Sequence, residues 1–253
     1  MLHGFPATWL CWEPMMERLD SRFRVIAPDL RGYNLSGRPS GVNEYSADKV
    51  AGDIVHLLDH LGEEKVRLVG HDWGGAIAYH LAAHFPDRFS HLSVLNCPHP
   101  AVMVRHLKSN LRQLRRSWYI LFFQLPWLPE LLIRRNVDSF LRAAFRPRSA
   151  FSEEELQHYR EAMLLPEALT ATINYYRAAG RAVFSQQPRW PVIECPFQLI
   201  WGKRDPALGV EMTEGMERYF QEHVIREYLP EAGHWVFSQK PDEVAELLLQ
   251  FLL

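Results

Sequence analysis

The chain has 253 residues, enough for one good-sized core and a smaller appended domain. Its formal net charge of −2 excludes a global field steering it toward nucleic acid or acidic substrates. Cys11, Cys97 and Cys195 make no CxxC pair, which argues against a disulfide framework or structural zinc and for a reducing, cytoplasmic setting. The 12 histidines show no HExxH or other ligand spacing, so no metal site is expected among them. The chain opens on Met1-Leu2-His3-Gly4 without a secretory leader pattern. Its longest apolar stretch, Trp118 to Ile133, is broken by Gln124, Pro126 and Pro129, and falls short of the ~20 residues a bilayer span needs.

In chain order, Arg24 to Ala27 reads as a strand ending at Pro28-Asp29. Ser46 to Leu61 reads as a helix with Val50, Ile54, Leu57, Leu58 and Leu61 on one face and Gly62 at its end. Val66 to Val69 is a buried strand, followed by a glycine-rich turn and a helix through Ala76–Ala83. His91 to Leu95 is another strand, ending at Asn96-Cys97-Pro98-His99-Pro100. This alternation predicts βαβ units and a mostly parallel sheet.

From Ala101 to Gln187 the pattern is helical throughout, best at Leu107–Arg116, Ser152–Met163 and Pro166–Ala179. Strands resume at Phe197–Trp201 and Val224–Tyr228, and a helix from Asp242 to Leu252 closes the chain. The expected organisation is a discontinuous α/β core (1–100 and 188–253) with an all-helical cap (101–187) over the strand ends. Between Arg105 and Arg148 lie ten Lys/Arg against two acids, Glu130 and Asp138. A solvated helix face is the ordinary reading of such a run. The sharper one is a basic, aromatic lip on a membrane surface that supplies lipophilic substrate.

Val69-Gly70-His71-Asp72-Trp73-Gly74-Gly75 joins a predicted strand to a predicted helix, with small residues two positions either side of Asp72. That is the nucleophile-elbow spacing, with Asp where serine esterases carry Ser. Read in isolation, GxDxG also suits a loop with a helix-capping Asp; the strand–turn–helix setting favours the elbow. A carboxylate attacking an sp³ carbon forms an ester that water can still cleave, whereas Ser would form an inert ether. An Asp nucleophile therefore points to epoxides or alkyl halides. Cleaving that ester needs an oxyanion hole, for which the main-chain N–H groups of Trp73 and of Phe5, in His3-Gly4-Phe5-Pro6, are candidates. It also needs a base oriented by an acid: His234, after the last strand, and Asp205, after the strand before, follow the nucleophile in hydrolase order. His71 and His99 are rivals for the base and read as structural.

HGFP, APDLRGYNLSGRP (Ala27 to Pro39), GHDWGG and LNCPHP (Leu95 to Pro100) together resemble the epoxide hydrolase branch of the α/β-hydrolase family over nearly the whole chain. The resemblance implies Asp72 as nucleophile, Asp205 as relay acid and His234 as base. It also implies two cap tyrosines that hold the oxirane oxygen. Trp118–Pro126 resembles the segment bearing the first, Tyr119, and Asn174-Tyr175-Tyr176-Arg177 the segment bearing the second, with Tyr176 favoured over its neighbour. The implied enzyme is a detoxifying epoxide hydrolase that takes a small apolar epoxide and water and needs no cofactor. The oligomeric state stays open, a homodimer included.

A haloalkane dehalogenase is the alternative enzyme, since it shares the Asp–Trp elbow and grips halide with indole N–H groups. Many carry a second halide donor, Asn, where this chain has Phe5. Fluoroacetate dehalogenases carry arginines at the places of Trp73 and Ala76, so a charged haloacid is not expected. A non-catalytic binder of the same fold is the third reading. The family core begins with strands well before the HGxP turn, whereas only Met1 and Leu2 precede His3 here. The expectation is therefore a fold lacking its usual first strands, either as a fragment or with the sheet completed by another segment or chain, and with an exposed sheet edge.

Overall fold

The computed structural model describes residues 1–184, without the Phe184 side chain, and 190–253. Four short apolar runs form one parallel sheet in the order β1 (Val66–His71), β2 (Phe89–Leu95), β3 (Phe197–Gly202) and β4 (Val224–Leu229). Parallel strands need crossovers that cover the faces, and the strand interiors are correspondingly apolar. Leu68, Val69, Leu92, Val94, Leu199, Ile200 and Trp201 are all buried. Between β1 and β2, α3 (Trp73–His84) packs on both strands, with α2 (Ala47–Leu61) behind it. Gly62 ends α2 in the left-handed conformation (φ 72°) that the helix-stop pattern anticipates. At the other end of the chain, α1 (Glu13–Leu19) packs against the closing helix, Pro241–Leu252.

Between β2 and β3 every regular element among the described residues is helical. These are α4 (Pro100–Ser109), α5 (Leu111–Arg116), α6 (Trp118–Phe122), α7 (Leu128–Arg135), α8 (Val137–Ala144), α9 (Glu153–Leu164) and α10 (Ala168–Phe184). After β4 come the one-turn α11 (Val236–Gln239) and the closing helix, α12. The helix expected over Leu107–Arg116 is two helices. Asn110 leaves the helical region (φ −119°, ψ 100°), and its side chain accepts from the N–H groups of Arg112 and Gln113 to start α5. The expected start at Pro166 moves to Ala168 because Glu167 has φ 61°. The expected core–cap division at residues 187 and 188 lies outside the described residues.

Arg24 to Ala27 is not a strand. A strand is made by its ladder, and a cavity of about 320 Å³ separates this stretch from β1, lined on one side by Arg24, Val25 and Ile26 and on the other by Val66–Val69. Among the described residues the one backbone bond it receives runs from the Met1 amino group to the Ile26 carbonyl, 2.6 Å. Leu2 bridges the last part of the β1 edge, donating to Val69 (2.8 Å) and accepting from His71 (3.0 Å). Among the described residues no helix is long and apolar enough to cross a membrane, and the three cysteines are unpaired.

The helical segment is fastened to the loop after β4. Phe145 stacks on Trp235 with ring centroids 4.6 Å apart and on Tyr159 of α9, also at 4.6 Å. The Trp235 indole N–H donates to the Ala144 carbonyl at 2.8 Å. Phe145 is fully buried, so Phe145→Ala leaves a cavity between two aromatic faces. The expected loss is about 3–5 kcal/mol of unfolding free energy from urea denaturation, and a loss below about 1 kcal/mol would show that the two layers are not joined there.

Candidate active site

The site lies where the strands end, on the side from which open parallel sheets present their ligands. Asp72 follows β1 with φ 50° and ψ −122°, a conformation rare for a non-glycine residue, and it opens α3. Two glycines permit this turn. A Cβ on Gly74 would strike the carbonyls of Leu2 and His3, and one on Gly4 would strike the Asp72 carboxylate itself. Because Gly4 lies so close, the Phe5 N–H donates to Asp72 Oδ1 at 2.8 Å, and the Trp73 N–H also faces the carboxylate. The HGFP turn is held from behind, where His3 Nε2 accepts from the Leu30 N–H at 3.0 Å. Burial keeps His3 neutral, with its pKa lowered to about 4.

Asp205 leaves β3 and His234 leaves β4, and the two meet at 2.7 Å between Oδ2 and Nδ1. The Asp205 side chain has no exposed surface. Its charge is met by four hydrogen bonds. Oδ1 accepts from the N–H groups of Ala207 (2.8 Å) and Leu208 (2.9 Å). Oδ2 accepts from His234 and from Asn96 Nδ2 at 2.8 Å. His234 then turns Nε2 toward Asp72 Oδ2, 3.7 Å away. Burial alone would lower the His234 pKa, but Asp205, through charge and hydrogen bond, and Asp72 outweigh it and raise it above 6.5.

Tyr119 of α6 and Tyr176 of α10 lie over this carboxylate in an aromatic enclosure. The Tyr176 ring is 4.9 Å from Trp73, 5.4 Å from Phe5, 4.9 Å from Phe123 and 6.0 Å from Tyr119. Burial, reinforced by the Asp72 charge, pushes both tyrosine pKa values well up, so both hydroxyls stay protonated at neutral pH. The neighbouring Tyr175 is committed elsewhere, its hydroxyl donating to the Arg31 carbonyl at 2.7 Å.

All seven residues singled out in the sequence therefore converge: Asp72, Asp205, His234, Phe5, Trp73, Tyr119 and Tyr176. The rival histidines do not face Asp72. His71 lies behind the triad, buried, neutral and donating from Nε2 to the His234 carbonyl at 3.0 Å. His99 caps α4, accepting from the Ala101 N–H at 3.3 Å, and burial lowers its pKa to about 3. Among the described residues no cluster of three His, Cys, Asp or Glu groups is arranged to hold a metal.

Sequence reading missed the supports. Asn96 (φ 41°) holds Asp205 and also accepts from the Gly202 N–H at 2.9 Å. An Asn directly after a strand was the available signal, since Asn tolerates positive φ. Gln113 of α5 ties the helical segment to the Asp205 loop, donating to the Ala207 carbonyl (2.8 Å) and accepting from the Gly209 N–H (3.0 Å). Arg177, beside Tyr176, donates to the carbonyls of Phe123 (3.1 Å) and Leu125 (2.6 Å) and pairs with Glu130 at 2.6 Å. No pattern in the sequence announces these partners.

Burial raises the Asp72 pKa above 3.8, and His234 and the Phe5 and Trp73 N–H groups only partly oppose this. A carboxyl whose folded pKa exceeds its unfolded value penalises the fold at every pH above the folded pKa, and not below the unfolded one. Asp72→Asn is therefore expected to melt higher than the parent at pH 7, with the gap closing as pH falls toward 3.8. Thermal scans across that range check it, and an Asn variant less stable at pH 7 would contradict it.

Known proteins resemble this chain in sequence and in fold. A family model described as the alpha/beta hydrolase fold matches residues 1–241. The AB hydrolase superfamily protein YfhM of Bacillus subtilis (strain 168) is 38% identical over 258 residues, covering all of this chain and 88% of that protein. Epoxide hydrolase 4 of Homo sapiens is 36% identical over 261 residues, covering all of this chain and 71% of that protein. In structure, the Bacillus megaterium epoxide hydrolase crystallised with an inhibitor superposes with a TM-score of 0.90 at 30% identity, over 99% of this chain and 91% of that one. The chain belongs to the α/β-hydrolase family, in its epoxide hydrolase branch.

Proposed function

We propose that this protein hydrolyses an epoxide to a vicinal diol through a covalent ester on Asp72. The observation that carries the reading is the division of labour on one carboxylate: Oδ1 is held by the Phe5 N–H at 2.8 Å while Oδ2 faces His234 at 3.7 Å. Residues 101–187 would act as the cap that closes over it, and 1–100 with 188–253 as the core. Asp72 Oδ2 attacks an oxirane carbon, the C–O bond breaks, and Tyr119 or Tyr176 passes its proton to the departing oxygen. Both hydroxyls stay protonated at neutral pH, so either has a proton to give to the strongly basic alkoxide. Tyr176 is favoured over Tyr175, whose hydroxyl is already engaged at Arg31.

In the second step neutral His234, steadied by Asp205, takes a proton from water, and the oxygen adds to the ester carbon of Asp72. The negative charge develops on Oδ1, where the Phe5 and Trp73 N–H groups already point. Collapse expels the diol with Oδ2, protonated by His234, and the second proton of the water restores the tyrosine hydroxyl. The enclosure of Phe5, Trp73, Phe123 and the two tyrosines suits a small apolar substrate. It needs no cofactor.

Incubation with styrene oxide or a fatty-acid epoxide is expected to yield diol, and Asp72→Ala to abolish it. In one turnover in ¹⁸O-water the label is expected on Asp72 and not on the diol. His234→Gln is expected to accumulate the ester as a mass adduct, and Tyr119→Phe with Tyr176→Phe to lose ring opening while keeping the parent's melting behaviour. In the ester, Asp205 still raises the His234 pKa, and only neutral imidazole accepts a proton. Ester cleavage in stopped-flow is therefore expected to quicken as pH rises through the His234 pKa and to level off above it. Turnover of haloalkanes without epoxides would replace this reading with the dehalogenase one. Ligand-raised melting temperature with no turnover of either would replace it with the binder.

A further inference from the structure

We infer that the outer face of α5, α6 and the start of α7 docks on an anionic lipid surface. Six large apolar side chains of this stretch stand exposed: Leu111, Trp118, Leu121, Leu125, Trp127 and Leu132. Trp118 and Trp127 are 61% and 68% exposed, unusual for the bulkiest side chain. Trp118 and Leu121, three residues apart, share the outer face of α6, while Gln113, Ser117 and Phe123 are buried. Trp127 is held outward by a left-handed backbone (φ 53°) that a bulky residue rarely adopts. An exposed apolar run of this kind marks an interaction surface.

Charge selects the partner. Lys108, Arg112, Arg115, Arg134 and Arg135 are exposed and make no ion pair among the described residues. The two acids of the stretch are already engaged, Glu130 with Arg177 at 2.6 Å and Asp138 with Arg160 at 3.0 Å. A twofold contact with a second copy would face these free arginines with themselves and supply no acid. An anionic bilayer accepts both features, indoles at the headgroup level and arginines against lipid phosphates. The inference does not depend on the proposed reaction.

The test is co-sedimentation of the full chain with phosphatidylcholine vesicles, with and without phosphatidylglycerol. Binding is expected only when the anionic lipid is present, and is expected to weaken as salt rises. Arg112→Gln and Arg115→Gln are each expected to weaken it about fivefold, and Trp118→Ser with Trp127→Ser to remove it, with unchanged melting curves throughout. Equal binding to both vesicles, binding indifferent to these variants, or no binding to either would overturn the inference. A concentration-dependent dimer that the same tryptophan variants abolish, without vesicle binding, would assign the face to a second copy instead.

Discussion

The backbone of Asp72 sits in a conformation that an L-residue adopts only under constraint, and the rest of the site depends on what holds it there. Leu2 donates to Val69 and accepts from His71, pinning the last turn of β1 on one side of the elbow. The close approach at Gly4 and Gly74 lets the HGFP turn press against the other side. One consequence is geometric, because the Phe5 N–H can reach Asp72 Oδ1 only while this contact lasts. The other is energetic. A strained φ costs of order 1–3 kcal/mol and persists only where several contacts enforce it together.

Above the elbow, the helical layer is aimed by hydrogen bonds to backbone carbonyls more than by apolar packing alone. Arg177 gathers the carbonyls of Phe123 and Leu125 and the carboxylate of Glu130, and Gln124 donates to the Tyr176 carbonyl at 3.0 Å. Tyr119 and Tyr176 thus come from helices whose separation is set by directional bonds. Gln113 does the same between α5 and the Asp205 loop. A hydrogen bond fixes an angle as well as a distance, which hydrophobic burial does not. In the proposed reaction two phenols meet one oxygen, and that needs this kind of control.

Legibility in the sequence followed the range of each interaction. Strand cores, the α2 stop at Gly62 and the elbow glycines announce themselves locally, because backbone geometry and periodicity are properties of a few adjacent residues. The family pattern supplied the distant pairings of Asp72, Asp205 and His234, which spacing alone does not join. Arg24–Ala27 misled because its β-branched pattern is real, but a strand also needs a neighbouring backbone, and a cavity lies there. Asn110 reads as helix interior in the sequence, since a cap and an interior Asn look alike until the backbone bends. Asn96, Gln113 and Arg177 stayed hidden because each acts on residues more than 45 positions away, mostly on backbone groups that carry no sequence signature.

The short helix α6 joins the two faces of the helical layer. Trp118 faces out and Tyr119 faces in, one residue apart, and a turn later Phe122 is half-buried and Phe123 buried. A five-residue helix cannot be stabilised by its own hydrogen bonds. Its inward side is fixed by Phe123, which packs against Phe5 at 5.6 Å and Tyr176 at 4.9 Å. On its outward side Trp118 packs against Phe122 at 5.8 Å, and Phe122 in turn against Phe123 at 5.9 Å. Trp118, on the proposed docking face, and Tyr119, in the proposed site, are thus joined by a single peptide unit.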